Sequence, residues 1–393
     1  MYGCAMDLSK AFDLVEWSEL FSTLMERNIS AIFLRLLLFI YRNQSCDVKW
    51  GSSYSHRFSV TNGVRQGSVS SPLLFSIYIN DLIVKLRMSG LGCRIDQCFY
   101  GCLGYADDLL LLSASRSGLQ AMVRICEKFA REKGLKFSTN ANPQKSKTKC
   151  VIFSPKANDR QNVSPILLNS DPLPWVSDVK HLGNILQSEN SMKKDVALKR
   201  GKFIGKVNSI LQELHFADPT ILVKLLQVYC TSFYGSCLWD LYSAEIDRLY
   251  RSWNVSVRNI FQVPYNTHRY LVQPLTDSSH PKTMLSSRFA KFMQSLVCST
   301  KSSISYLARL VRYDNRTLAG RTVSRLCREC KVDRGSLTVS TINKAVRYFS
   351  VPEGELWRID IMKELLNVKR GCLIIGDFDY LEIEQMINFL CVS

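Results

Sequence analysis

The 393-residue chain carries 51 Lys and Arg against 34 Asp and Glu, a formal net charge of +17 at pH 7. That balance implies a polyanionic partner, most economically nucleic acid. A hydrophobic content of 46% suffices for real cores in two or three domains, and 14 irregularly spaced cysteines fit a reducing compartment better than a disulfide framework.

From the N-terminus, residues 2–8 read as a short buried strand that ends in Asp7, and residues 9–13 lead into a helical pattern. Residues 17–27 and 30–41 are expected as helices, with Ser30 a plausible N-cap. Within the second, the apolar run from Phe33 to Ile40 is too short to span a membrane and contains Arg35. With no signal peptide visible, the expected compartment is the nucleus or cytoplasm, with no membrane partner. Residues 48–50 and 57–60 read as a hairpin around Gly51-Ser52-Ser53. Ser71-Pro72 opens a helix toward Arg87, since proline suits a first helical position. Leu119, Met122, Val123, Cys126, Phe129 and Ala130 keep helical spacing, and Gly134 is a natural stop. Phe137 and Cys150 to Phe153 supply further strands. The pattern predicts an α+β fold, an antiparallel sheet with helices on one face.

Between those helices, Tyr105-Ala106-Asp107-Asp108 precedes the apolar run Leu109 to Leu112, as at the tip of a β-hairpin. Neighbouring side chains on a strand point to opposite faces, but a sharp turn can aim both carboxylates at one place. Such a pair repels itself, and burial raises its pKa values. A divalent cation removes the difficulty, and oxygen ligands suit Mg²⁺. A solvated turn is the plainer alternative, because Asp is a common turn residue. Asp7 lies 100 residues upstream (107 − 7), so only a sheet can bring the two patches together. Joined, they offer what a two-metal phosphoryl-transfer site needs.

Asp7-Leu-Ser-Lys-Ala-Phe12-Asp13, Gly63-Val-Arg-Gln-Gly67 with Ser71-Pro72-Leu-Leu-Phe75, and Tyr105-Ala-Asp-Asp108 stand in the order of reverse-transcriptase motifs A, B and C. Gly134-Leu-Lys-Phe137 with Lys147-Thr148-Lys149 resembles motif D, and Val179-Lys-His-Leu-Gly183 resembles motif E, the primer grip. The wording is closer to non-LTR (LINE-type) retrotransposons than to retroviruses. Residues 1–187 are therefore expected to form the palm of an RNA-directed DNA polymerase. The resemblance implies two Mg²⁺ ions at Asp7, Asp107 and Asp108, an RNA template, a DNA primer and deoxynucleotides. It makes Phe12 a steric gate against a 2′-OH and sets Arg65, Gln66 and Gly67 against the incoming nucleotide. Lys147 becomes the proton donor to departing pyrophosphate, and His181, Leu182 and Gly183 the primer grip. Lys145, Lys147 and Lys149 alternate, so which of them serves stays open.

Beyond motif E the pattern is helical. Val196, Phe203, Val207, Ile210 and Leu214 make one stripe, and Asp218-Pro219 opens another helix. Residues 188–242 are expected as an all-α thumb, with Lys193, Lys194, Lys199, Arg200 and Lys202 against the nucleic-acid backbone. Residues 243–393 read as a helical C-terminal region of unknown role, in which Trp253-Asn254, Arg258 and His268 faintly resemble the segment after the thumb in LINE proteins. Cys327 and Cys330 lack a matching pair and read as two cysteines on one helical turn rather than a zinc site. The acidic residues Asp377, Asp379, Glu382 and Glu384 read as a helical end.

Family members carry a fingers subdomain upstream of motif A, and many an endonuclease. On the resemblance the chain is expected to be N-terminally truncated, with part of its nucleotide cradle absent and apolar palm surface uncovered. Two readings compete: an RNA-directed DNA polymerase, favoured by motifs A to E, and a non-catalytic nucleic-acid-binding remnant of a retroelement.

Overall fold

The strand Tyr2–Asp7 lies in the middle of a five-stranded sheet. On one side it pairs antiparallel with Lys149–Ile152, which pairs in turn, in parallel, with Trp175–Val176. On the other it pairs antiparallel with Asp108–Ser113, and Cys102–Tyr105 closes the edge. This computed structural model describes residues 1–139, 146–189, 191–276 and 279–345, together with Ile361 and Leu366. Lys145 and the acidic residues Asp377, Asp379, Glu382 and Glu384 lie outside the described residues. The chain divides into two compact units, Met1–Ser191 and Met192–Ser393.

Alternation along the strands decides what each face of the sheet does. Cys4, Met6, Leu109, Leu111 and Cys150 are buried in one cluster with side chains of the helices α3 (Ser71–Met88) and α4 (Arg116–Glu132). Burial of each such Leu, Phe or Met side chain contributes about 1.5–3 kcal/mol. The intervening residues, Ala5, Asp7, Asp108 and Lys149, belong to the opposite face. The fold is thus α+β, with helices on one side of the sheet, as the sequence pattern predicts. The Ser115 hydroxyl accepts from the Gly118 amide to cap α4, and Gly134, at φ +65°, ends it.

α1 (Trp17–Glu26) and α2 (Ala31–Arg42) fall within a residue of expectation. Ser30 holds the N-cap position of α2, but its side chain makes no capping hydrogen bond. α2 buries Leu37 and Tyr41 and leaves Ile32, Leu36 and Phe39 exposed. The expected hairpin is rearranged. Lys49–Trp50 closes on Ser53–Tyr54 through Gly51, whose φ of +60° permits so tight a turn, and Phe58–Ser59 pairs back on Ser45–Cys46.

The second unit is helical. α5 (Lys193–Glu213) buries Val196, Phe203 and Val207, as its stripe predicts. The Asp218 carboxylate accepts from the Thr220 amide to open α6 (Pro219–Leu225), which runs on into a π-helical turn, Leu226–Cys230. α7 (Ala244–Phe261) buries Ile246, Leu249, Trp253, Val257 and Ile260. Arg258 donates to the Thr267 carbonyl at 2.6 and 3.2 Å. Trp239 and Leu241 share one hydrophobic cluster with Trp253, Phe289 and Leu326. That core passes without a break through residue 242, where thumb and C-terminal region are expected to part. Cys327 and Cys330 lie on the last turn of the helix Leu318–Cys330. Among the described residues no helix is long and apolar enough to cross a membrane.

Candidate active site

Asp7 ends the central strand directly opposite Asp108 in the adjoining one. Paired residues on neighbouring strands project to the same face with Cβ atoms about 4.5–5.5 Å apart. The Asp7 amide donates to the Thr148 hydroxyl at 3.4 Å, and the Asp7 carbonyl accepts from the Ser138 amide at 2.7 Å. Its Oδ2 is buried and has no hydrogen-bond partner among the described residues. The Lys147 ammonium stands 3.5 Å from that oxygen, a charge contact short of a hydrogen bond, on a side chain that is 70% exposed.

Asp107 sits in the two-residue turn between paired Tyr105 and Asp108. Its neighbour Ala106 has φ +51°, a left-handed conformation that costs a non-glycine residue about 1–2 kcal/mol. Strain of this kind collects where a chain must aim a functional side chain. Burial raises the Asp107 carboxyl above its usual range, the charges of Asp108 and Asp7 raise it further, and Lys147 opposes them. The turn therefore gathers negative charge.

His181, Leu182 and Gly183 form the end of a second hairpin, Asp178–His181 with Asn184–Gln187. Leu182 at φ +46° and Gly183 at φ +75° make the two consecutive positive values of a type I′ turn. All three line a cavity of about 690 Å³ together with Asp7, Asp108 and Lys147. Burial lowers the His181 pKa, and Asp108 pulls it partly back. Motifs A, C, D and E thus converge on one space. Lys149, one of the alternating lysines of motif D, and Lys180 of motif E line it as well, together with Asp178, which carries no site signal in the sequence although it flanks buried Val179 in a strand's alternation.

The remaining candidates lie elsewhere. Arg65 and Gln66 line another cavity, of about 610 Å³, with Asp13, Asn43, Gln44 and Asn62. Gln66 donates to Asp13 Oδ1 at 3.2 Å. Gly67, at φ +87°, has open space on the side where a Cβ would stand, with no atom within 4 Å of that point. Phe12 stacks on Phe75 with centroids 5.0 Å apart. The Gly63–Gly67 loop is fastened to the Phe12–Val15 turn by the Gly63 amide to Val15 carbonyl bond (2.9 Å) and the Val64 amide to Phe12 carbonyl bond (2.8 Å). The Trp17 indole donates to the Gly63 carbonyl at 2.8 Å. So Phe12 and the Gly63–Gly67 loop are built as one piece.

On α5, Lys193, Lys194 and Lys202 are exposed and Arg200 is half-buried. Lys199 departs from expectation. Its side chain is 11% exposed and bound to buried Asp195 at 2.8 Å, and Asp195 also accepts from the Trp239 indole at 2.8 Å. Its ammonium also lies 5.6 Å from the Trp239 ring centroid. A lysine held this way supports the core and is not available to a phosphate. The i, i+4 spacing of Asp195 and Lys199 was the signal.

Among the described residues, no group of three or more His, Cys, Asp or Glu side chains is arranged to hold a metal ion by itself. The donors nevertheless suit Mg²⁺, which is commonly bound through one or two carboxylates with water and substrate phosphates completing its shell. The buried Asp7 Oδ2, met by the Lys147 charge but by no hydrogen bond among the described residues, and the mutual repulsion at Asp107 are what a cation would relieve.

Residues 1–186 match the family described as reverse transcriptase (RNA-dependent DNA polymerase). A retrovirus-related Pol polyprotein from the type-1 retrotransposable element R2 of Nasonia vitripennis is 30% identical over 156 residues, covering 40% of this chain and 15% of that protein. The corresponding polyprotein from element R1 of Bradysia coprophila is 27% identical over 246 residues, covering 60% of this chain and 23% of that protein. A probable RNA-directed DNA polymerase from transposon X-element of Drosophila melanogaster is 25% identical over 250 residues, 60% of this chain and 25% of that protein. The chain therefore spans a quarter or less of these relatives. Among solved structures, apo telomerase from Candida tropicalis aligns over 91% of this chain and 52% of that one at 13% identity and a TM-score of 0.37, a likeness too weak to argue from.

Proposed function

Residues 1–186 are a reverse-transcriptase domain of the non-LTR retrotransposon type, and from that premise we propose that the chain is an RNA-directed DNA polymerase. It would extend the 3′-OH of a DNA primer with deoxynucleotides along an RNA template. The observation that carries this reading is the register of the central sheet, with Asp7 opposite Asp108 and Asp107 on the adjoining turn. Asp7, Asp107 and Asp108 would hold two Mg²⁺ ions, which when bound clamp the attacking and leaving oxygens of an in-line displacement.

The chain's own side chains supply the rest of the reading. Lys147, beside Asp7, gives a proton to departing pyrophosphate. Phe12 excludes a 2′-OH by bulk, and Arg65, Gln66 and Gly67 lie against the incoming nucleotide and template. His181, Leu182 and Gly183 hold the primer terminus in the space they share with Asp7 and Asp108. Lys193, Lys194, Arg200 and Lys202 meet backbone phosphates, and Lys199 takes no part.

Primer extension on a primed RNA template with Mg²⁺ and deoxynucleotides, run beside Asp107→Asn, tests the proposal. Extension by the wild type should fall at least about a hundredfold in the variant, equivalent to about 3 kcal/mol of barrier. Well-folded wild type that binds primed template but never extends it would overturn the catalytic reading and leave a binding-only remnant.

A further inference from the structure

The second unit holds a cavity of about 340 Å³ whose lining includes Tyr242, Asp247, Lys282, Arg325, Arg328 and Glu329. None of these residues belongs to a recognisable motif. Arg321, Arg325 and Arg328 recur at i, i+4 and i+7 on the helix Leu318–Cys330, so they share a face. Arg321 is bound to Asp240 at 3.2 Å. Arg325 donates to the Tyr242 carbonyl at 3.1 Å and stands 5.4 Å from the centroid of that ring. Lys282 stands 5.1 Å from the same centroid.

The acids in the lining do not cancel these cations. Glu329 is paired with Lys282 at 2.8 Å, and Asp247 is exposed. Set against Asp247, the Arg325 and Arg328 guanidinium groups leave one positive charge in excess. The Arg328 guanidinium makes no hydrogen bond or ion pair among the described residues, and it cannot shed its charge. Two guanidinium groups at one concave site match the oxygens of a phosphate, which arginine binds bidentately. The planar Arg325 group also offers a stacking face to an unpaired base. An acidic peptide could answer the charge but would leave that face unused.

We propose that this cavity is a second nucleic-acid contact, in which Arg325 and Arg328 bind a backbone phosphate of single-stranded RNA. The site does not depend on catalysis by the first unit, because its readout is binding alone.

Fluorescence anisotropy of the full chain with a short fluorescein-labelled single-stranded RNA, titrated over about 50–200 mM salt, tests the proposal. Arg328→Gln should weaken binding about five- to tenfold and flatten the slope of log K against log salt by about 0.7, the value for one phosphate on a single strand. Because the Arg328 guanidinium makes no hydrogen bond or ion pair among the described residues and the substitution leaves its backbone bonds in place, that variant should keep the wild-type circular dichroism and melting curve. Arg325→Gln should act in the same direction. Lys291→Gln, an equal charge loss at an exposed position outside the cavity, should change affinity less than about twofold. Equal losses at Arg328 and Lys291 would overturn the site, since only general charge would then be at work. Polyglutamate displacing the probe better than unlabelled RNA of equal charge would also overturn it, in favour of an acidic peptide.

Discussion

Replacing Gly63 by alanine tests how the Gly63–Gly67 loop is joined to the Phe12–Val15 turn. Gly63 has φ +87°, and a Cβ there would lie 3.0 Å from Asp13 Cα, 3.0 Å from the Phe12 carbonyl oxygen and 3.1 Å from the Asp13 carbonyl oxygen. All three are backbone atoms, which cannot swing aside as a side chain can. Gly67 has the same φ of +87°, but open space where its Cβ would be. The two positions therefore share the conformational cost of an L-residue, about 1–2 kcal/mol, and differ in contact. At Gly63 the clash should also break the Val64 amide to Phe12 carbonyl bond and the Gly63 amide to Val15 carbonyl bond, each worth about 1 kcal/mol. Gly63→Ala should thus cost about 3–4 kcal/mol in all, against about 1–2 for Gly67→Ala. Urea unfolding of each variant, followed through the first unit's transition, reads the difference from the midpoints. Equal midpoints for the two variants would refute the argument that backbone crowding fixes a glycine at residue 63.

Three further outcomes follow from other parts of the chain. His280 is buried against the Tyr250 ring, and its Nδ1 accepts from the Lys282 amide at 3.0 Å, so protonation is disfavoured and its pKa falls to about 3. Between about 3 and the ordinary 6.5 the unfolded chain binds the extra proton. The contribution is therefore complete above pH 6.5 and lost as pH falls toward 3, by up to about 1.4 kcal/mol per pH unit; His280→Asn, which can still cap the helix, should flatten that dependence in urea unfolding. Lys199→Met should cost about 3–5 kcal/mol by stranding buried Asp195 yet leave the salt slope of nucleic-acid binding unchanged, whereas Lys202→Gln should flatten the slope and spare stability, as parallel melting and anisotropy experiments would register. Phe12→Ala should raise ribonucleotide incorporation at least about tenfold relative to deoxynucleotide in primer extension and lose about 0.5–1.5 kcal/mol of stacking on Phe75.

The carboxylates are legible in the sequence because their signal is local. A strand ending in Asp7 and a two-residue turn bearing Asp107 can be read from alternation and turn chemistry alone, and pairing of two such strands does the rest. The hairpin between residues 45 and 59 escapes such a reading because its strands are two residues long and leave no periodicity. Lys199 escapes it because its one local signal, Asp195 four residues upstream, is shared by many solvated pairs; burial of the pair is decided by Trp239, 40 residues away (239 − 199). Convergence of His181 and Asp7 on one cavity depends on tertiary placement, and only the resemblance to known motifs anticipates it. For the arginines of the helix Leu318–Cys330 no motif exists, and their common face becomes meaningful only with Tyr242 beside them.

Because Asp7 meets Asp108 residue for residue, the sheet behaves as a ruler, and length matters in it more than identity. Exchanging Ala5 for another small residue changes a side chain; deleting it moves every residue before it by one step and exchanges the two faces. If Asp7 kept its partner, the upstream strand would present Tyr2 and Cys4 to the face now held by Gly3 and Ala5; if the upstream pairing held, Asp7 would turn toward the helices. Either way the strand could still bond along its edges while the arrangement of its faces was lost. Copies of this sequence should therefore accumulate substitutions in the central strands far more readily than insertions or deletions of a single codon.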